Sequence, residues 1–183
     1  MRRVIAFEYL TLDGVMESPE KWQFPYLSDD VAAVIKAQIL EADAILLGRV
    51  TYEIFAASWP SRTNNEFGVA DKLNAAPKFV VSETLEKADW NNSTIIKGDV
   101  KKGIANLKQQ PGGDIALIGS GQLLEALMGY GLVDEYRLLI HPIVLGGGGR
   151  LFADGVHARL ELVEAKQFTS GVVLLKYKLS NVQ

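Results

Sequence analysis

The chain has 183 residues, 48% of them hydrophobic, a formal net charge of −3 at pH 7 and no cysteine. That length and apolar content suffice for a single domain, residues 1–183, with its own core. Lack of cysteine excludes disulfides, thiol nucleophiles and cysteine-ligated metals, and the two histidines, His141 and His157, do not suggest a metal site. Scattered basic residues predict no nucleic-acid partner, and the lack of a membrane-length apolar run or a leader cleavage site predicts no membrane partner and a cytoplasmic location.

Val4 to Leu12 reads as a strand, with Glu8 an unexplained acid inside it, and Asp13-Gly14 is a turn signal that ends it. Ser28 or Asp29 is placed to cap a helix with the apolar face Val31, Val34, Ile35 and Ile39, running to about Ala42. A buried strand, Ala44 to Leu47, closes at Gly48. A second helix from about Thr51 stops at Trp59-Pro60, and Ser61 to Gly68 is a polar loop. Lys78 to Ser82 and Thr94 to Ile96 read as strands, and Asp99 caps a helix that ends before Pro111-Gly112-Gly113. Beyond Tyr136 come a strand at Arg137 to His141, a glycine run at Gly146 to Gly149, and a hairpin of Leu160 to Phe168 with Val172 to Leu179. In its second arm Val173, Leu175, Tyr177 and Leu179 alternate with Leu174, Lys176 and Lys178, predicting one wet face. Repeated β then α units predict a mainly parallel sheet flanked by helices, with an antiparallel hairpin added at the C-terminal end.

Two strand ends carry candidate chemistry. Ile115 to Ile118 runs into Gly119-Ser120-Gly121 and at once into a helix bearing Leu123, Leu124, Leu127 and Met128. The first amides of a helix lack internal partners and its dipole end is positive, so a phosphate is favoured there. A tight turn needing glycine only for its backbone angles explains the same residues, and the third glycine of the dinucleotide fingerprint is replaced by Leu124. At the second end, Ile45 to Leu47 opens through Gly48-Arg49 into a helix that begins with Thr51, Tyr52 and Glu53. Arg49 suits a phosphate as a planar charged fork, or equally a helix-end ion pair.

These segments occur together in a known arrangement. LLGRVTYE, FVVS at Phe79 to Ser82 and IALIGSGQLLEAL follow the order of the dihydrofolate reductase fold. TLDG at Thr11 to Gly14, GLVDEYRL at Gly131 to Leu138 and HPIVLGGGGRLF at His141 to Phe152 narrow the likeness. Over nearly its full length the chain resembles the C-terminal reductase domain of bacterial riboflavin-biosynthesis proteins. The resemblance implies a dihydrofolate reductase-like α/β/α fold and hydride transfer from NADPH to a small pterin- or pyrimidine-like heterocycle. A nucleotide-binding or regulatory module that lacks chemistry is the alternative. It also implies that Gly48, Arg49, Thr51, Ser82, Gly119, Ser120, Gly121, Gln122 and Leu123 bind the cofactor, with Arg49 at the ribose 2′-phosphate and Ser82 near the adenosine. Asp13 is implied as the catalytic acid and substrate contact, with Trp22 and Asp30 as further substrate contacts. By residue type alone Asp13 is also a turn former, Asp30 a helix-capping acid and Trp22 a core aromatic. Riboflavin-pathway reductases carry a glutamate at the first position of the glycine motif, where this chain has Gly119. They are often fused to a zinc deaminase, whose cysteine ligands are missing here, so the chain corresponds to the reductase half. The resemblance and the edge hairpin together predict a homodimer.

Overall fold

A computed structural model describes residues 1–152 and 156–180. Its strands are β1 (Val4–Thr11), β2 (Ala44–Gly48), β3 (Lys78–Val81), β4 (Ser93–Ile96), β5 (Ile115–Leu117), β6 (Glu135–His141), β7 (Leu160–Gln167) and β8 (Val173–Leu179). They form one sheet in the order β4-β3-β2-β5-β1-β6-β8-β7. β1 to β6 are mutually parallel, and β8 pairs antiparallel with both β6 and β7. The expected mainly parallel sheet with an antiparallel C-terminal hairpin is therefore present, and β7 forms the rim.

Five helices, α1 (Asp29–Glu41), α2 (Arg49–Ser58), α3 (Ala70–Ala75), α4 (Val100–Gln109) and α5 (Gly121–Gly129), cover the sheet. The period-2 alternation of the strands sorts the core by face. Val4, Ala6 and Leu10 of β1, Leu46 of β2 and Leu117 of β5 pack with Ile104 and Leu107 of α4 and Leu123, Leu124 and Leu127 of α5. On the other face Ile45 and Leu47 meet Tyr52 of α2 and Leu73 of α3, while Phe7 meets Val31 of α1. The result is a helix–sheet–helix sandwich.

The differences from the sequence-based expectations have local causes. α2 starts at Arg49, ahead of the expected Thr51, because Gly48 is already the residue that precedes the helix. α3 was not expected: with only Ala70 and Leu73 buried, it is too short to show a helical repeat. Asp99 caps α4 as expected, its Oδ1 accepting from Lys102 N at 2.9 Å. β8 departs from the one-wet-face pattern. Leu174 is buried against Phe7, Leu139 and Phe168, while Tyr177 and Leu179 pack on the α4/α5 side.

Buried cations fasten the edges of the layers. Lys78, fully buried at the start of β3, donates to Asn74 O at 3.2 Å and Ala76 O at 2.8 Å, closing the C-terminus of α3. Its ammonium also lies 4.3 Å from the Trp90 ring centroid, and burial pulls its pKa down to about 8. Lys108 donates to Leu132 O at 3.1 Å and pairs with Asp134, which accepts from Val4 N at 2.7 Å. That chain of contacts ties α4 to the starts of β1 and β6. No helix among the described residues is long and apolar enough to cross a membrane.

Leu124, 1% exposed, carries α5 on the sheet. Leu124→Ala is expected to lower the unfolding free energy by about 2–5 kcal/mol in chemical denaturation, with helix content retained in the folded baseline.

Candidate functional site

β5 lies between β1 and β2, and the helices that follow β5 and β2 leave toward opposite faces of the sheet. Such a reversal opens a crevice beyond the carboxyl ends of the strands. Leu117 is paired with Ala6 on one side and Leu46 on the other. Beyond Leu117 the chain turns, and Gly119 N reaches Glu8 of β1 while Ser120 comes against Gly48 of β2. β2 ends there, whereas β1 continues to Thr11.

Gly48 precedes α2, which has no side-chain cap, and Ser120 precedes α5, with its Oγ accepting from Leu123 N at 3.4 Å. The two helix starts touch. A Cβ on Gly48 would lie 2.7 Å from Ser120 Oγ, and one on Gly119, whose φ is +53°, would lie 2.7 Å from Thr51 Oγ1. The Gly119–Ser120 peptide bond is cis. Met16, from the loop after β1, presses on the same turn, for a Cβ on Gly121 would lie 2.6 Å from its Sδ. Gly48, Thr51, Gly119, Ser120 and Gly121 are thus gathered at one corner, where the first amides of α2, those of α5 that Ser120 does not cap and two positive dipole ends add. Gln122 is exposed beside them, whereas Leu123 is buried in the core beneath.

Arg49 and Ser82 lie on adjoining segments with local partners. The Arg49 guanidinium, on the exposed side of α2, pairs with Glu53 at 2.9 Å one turn along the helix. Ser82, buried just after β3, accepts from Thr84 N at 3.2 Å and Leu85 N at 2.9 Å, which shapes the turn leaving that strand. Arg49 thus adopts the helix-end ion pair, in an exposed setting where the pair is worth little and is easily exchanged.

Glu8 acquires a reason that the apolar pattern around it concealed. By alternation it points to the α4/α5 side, between Ala6 and Leu10, and it is 4% exposed. Its Oε1 accepts from Gly119 N at 3.2 Å, so a carboxyl from β1 supports the glycine turn. Burial pushes its pKa up to about 8 against the smaller opposing effect of the Gly119 hydrogen bond, and no cation contributes. The useful sequence signal was a lone acid inside an apolar central strand.

The other carboxylates are engaged by loop amides. Asp13 accepts from Thr11 Oγ1 at 2.6 Å, Gly146 N at 2.8 Å and Leu145 N at 3.3 Å. These hydrogen bonds, led by the one from Thr11, hold its pKa down at about 2. Glu17 accepts from Gly149 N at 2.7 Å. The glycine run at Gly146 to Gly149 is therefore a nest filled by the chain's own acids, and it clasps the loop after β1 to the loop after β6. Asp30 accepts from Ser28 Oγ, from Thr169 N at 2.9 Å and from Thr169 Oγ1 at 3.1 Å, tying the start of α1 to the β7–β8 turn. It too is held at about 2, chiefly by Ser28. Ser28 occupies the capping position, but its hydroxyl donates to Asp30 and caps no helix amide.

Trp22 is buried, with Nε1 donating to Glu17 O at 3.0 Å, and its ring stands edge-on to His141 with centroids 5.1 Å apart. Tyr9 and Tyr26 each lie 6.0 Å from the same imidazole. His141 ends β6 beside Thr11, and its Nδ1 faces Leu10 O at 3.2 Å and Leu139 O at 3.0 Å. Two carbonyl acceptors assign the ring hydrogen to Nδ1, leaving the lone pair on Nε2. Burial lowers its pKa and keeps it neutral. An aromatic cluster with one imidazole acceptor thus stands at the end of β6. The sequence gives no sign of this cluster, because the ring neighbours of His141 lie more than a hundred residues before it. No group of three or more acidic or histidine side chains able to hold a metal ion occurs among the described residues.

The raised pKa of Glu8 has a sign that can be checked. The folded protein holds this proton up to about pH 8, whereas the unfolded chain releases it near the ordinary value of 4.5, so Glu8 costs stability progressively as pH rises between those limits. Thermal unfolding of Glu8→Gln should match the wild type near pH 4.5 and gain on it steadily to pH 8, with a constant difference above.

The model of the RibD C-terminal domain matches residues 2–174. The uncharacterized protein YyaP of Bacillus subtilis strain 168 is 32% identical over 179 residues, covering 96% of this chain and 94% of YyaP. Among solved structures, a putative riboflavin biosynthesis protein from Shewanella sp. PV-4 has a TM-score of 0.77 at 19% identity, covering 98% of this chain and 99% of that one. A pyrimidine reductase-like protein from Corynebacterium diphtheriae has a TM-score of 0.71 at 15% identity, covering 99% and 93%. A Thermotoga maritima diaminohydroxyphosphoribosylaminopyrimidine deaminase/5-amino-6-(5-phosphoribosylamino)uracil reductase has a TM-score of 0.67 at 14% identity, covering 98% of this chain but 57% of the longer one. With the family model spanning nearly its whole length, and the same sheet and helix layers in these structures, the chain belongs to the RibD C-terminal domain family.

Proposed function

We propose that this protein is an NADPH-dependent reductase of a small, flat heterocycle of pterin or pyrimidine type. The observation that carries the reading is the meeting of two helix starts at Gly48 and Gly119-Ser120-Gly121. Their free amides suit the two phosphates of a dinucleotide, and glycine permits close backbone approach. The reductase names of the structural relatives from Corynebacterium diphtheriae and Thermotoga maritima favour a pyrimidine substrate.

When bound, a reduced nicotinamide supplies hydride to an electron-poor C=N or C=O carbon. The chain's own part is to bind, orient and exclude water. The first amides of α2 and α5 hold the pyrophosphate, and Arg49 exchanges Glu53 for the ribose 2′-phosphate. Trp22 and Tyr26 wall the substrate side. Asp13 reaches the substrate or relays its proton once it loosens from the glycine run, and Asp30 contacts the substrate once it loosens from Thr169. The engagement of both carboxylates by loop amides favours the second reading, a nucleotide-binding module without turnover.

Cofactor fluorescence is expected to report NADPH binding, and Arg49→Ala should weaken NADPH by about 1.5–3 kcal/mol while leaving NADH nearly unchanged. Loss of nicotinamide absorbance with pterins or the phosphoribosylaminouracil substrate would establish the reductase. Binding without turnover on either would establish the module, and no NADPH binding would reject both.

The reading includes a homodimer joined at the rim strand. Among the described residues β7 has an unpaired outer edge, and every one of its own residues after Leu160 is exposed, including Leu162 at 52% and Val163 at 56%. Sedimentation should give a dimer mass for the wild type and a monomer mass for the double variant Leu162→Glu, Val163→Glu.

A further inference from the structure

The sheet places an acid directly behind the phosphate corner. Glu8 lies on β1 beside the turn that follows β5, and its carboxyl accepts the N–H of Gly119, the residue that opens the turn into α5. In a site built to attract negative charge, an ionised carboxylate at that distance would oppose the ligand, whereas an uncharged carboxyl accepts the same hydrogen bond without opposing it. We propose that Glu8 is the positioning residue of this anion site: its uncharged carboxyl fixes Gly119 and hence the first amides of α5 toward a phosphate, and its ionisation expels that phosphate. The proposal rests on the NADPH reading of the corner.

The surroundings of Glu8 leave it as the charge that switches. On β1 its neighbour Tyr9 has its phenol pushed up by burial and then by Glu8 itself. On β6 the register partner is Leu138, and Tyr136, two residues earlier on the same face, is also pushed up by burial. From α5 the shared core receives Leu123, Leu124 and Leu127, and from α4 Ile104 and Leu107. Met16 covers the turn from the loop after β1. No Lys, Arg or His among the described residues contributes to the Glu8 environment, so no cationic side chain pairs with the carboxylate once it forms. The carboxyl titrates around pH 8, within the range accessible to the folded protein. By linkage, a ligand that prefers the uncharged form must draw a proton onto the protein when it binds.

The test is NADPH titration by cofactor fluorescence between pH 7 and 9.5 on the wild type, Glu8→Gln and Glu8→Leu, with proton uptake on binding measured at pH 8.5 by calorimetry in buffers of different ionisation enthalpy. Glutamine keeps the acceptor for Gly119 and cannot ionise; leucine removes it. The wild type is expected to lose about tenfold to thirtyfold in affinity across this range, the scale of one added charge a few ångströms from a phosphate. Glu8→Gln should match the wild type at pH 7, show no such decline and take up no proton. Glu8→Leu should bind weakly at every pH, and amide hydrogen exchange should show Gly119 deprotected in Glu8→Leu but protected in Glu8→Gln. An alkaline decline or proton uptake in Glu8→Gln equal to the wild type would overturn the proposal, as would wild-type affinity in Glu8→Leu. If the wild type fails to bind NADPH at pH 7, the cofactor reading itself falls and takes this proposal with it, an outcome distinct from binding whose pH profile Glu8→Gln leaves unchanged.

Discussion

The corner where Gly48 meets Ser120 and Gly119 meets Thr51 depends on the close approach of two helix starts. Neither contact tolerates a Cβ without movement of the neighbour. Like ends of two helix dipoles repel, and their free amides need partners, so the arrangement is costly without an anion and favourable with one. The rest of the fold serves that approach. β5 is inserted between β1 and β2, α5 is held down by Leu123, Leu124 and Leu127, and α2 is anchored through Tyr52, whose hydroxyl accepts from Trp90 N at 3.0 Å.

Four acids around the crevice, Asp13, Glu17, Asp30 and Glu8, fall into two electrostatic kinds. Asp13 and Glu17, in the loop after β1, and Asp30, in the first turn of α1, accept backbone N–H groups from distant segments, and those bonds hold Asp13 and Asp30 down. Glu8 lies inside the sheet with a single amide, and burial outweighs that hydrogen bond. The loop acids brace the substrate side as ties between segments: Asp13 and Glu17 join the loops after β1 and β6, and Asp30 joins α1 to the β7–β8 turn. The helix starts at the phosphate corner have no carboxylate of their own to fill them, apart from the Arg49-bound Glu53 at one side.

Much of this was legible in the sequence because it is periodic or punctuated. The apolar runs at Ala44 to Leu47 and Ile115 to Ile118, each followed by glycine and a helix, marked both strand ends and the residues that gather there. What stayed hidden depends on contacts between distant segments. The link from Glu8 to Gly119 spans more than a hundred residues, and the grouping of Trp22, Tyr26 and Tyr9 around His141 follows only from the strand order. The burial of Leu174 escaped alternation for a related reason: β8 lies inside the sheet, with apolar layers reaching it from both sides. Local chemistry also left open whether an Asp-Gly pair merely turns the chain. In the fold Asp13 clasps the glycine run, a partner over 130 residues away.

The strand order carries a consequence for how the molecule comes into being. β1 precedes the other described strands, yet both of its neighbours, β5 and β6, belong to residues from Ile115 onward. During synthesis β2, β3 and β4 can pair among themselves early, whereas β1 must wait as an apolar segment without a partner until most of the chain exists. The crevice therefore requires β5 to enter between β1 and β2, which brings Gly119 to Glu8 and Ser120 to Gly48 together.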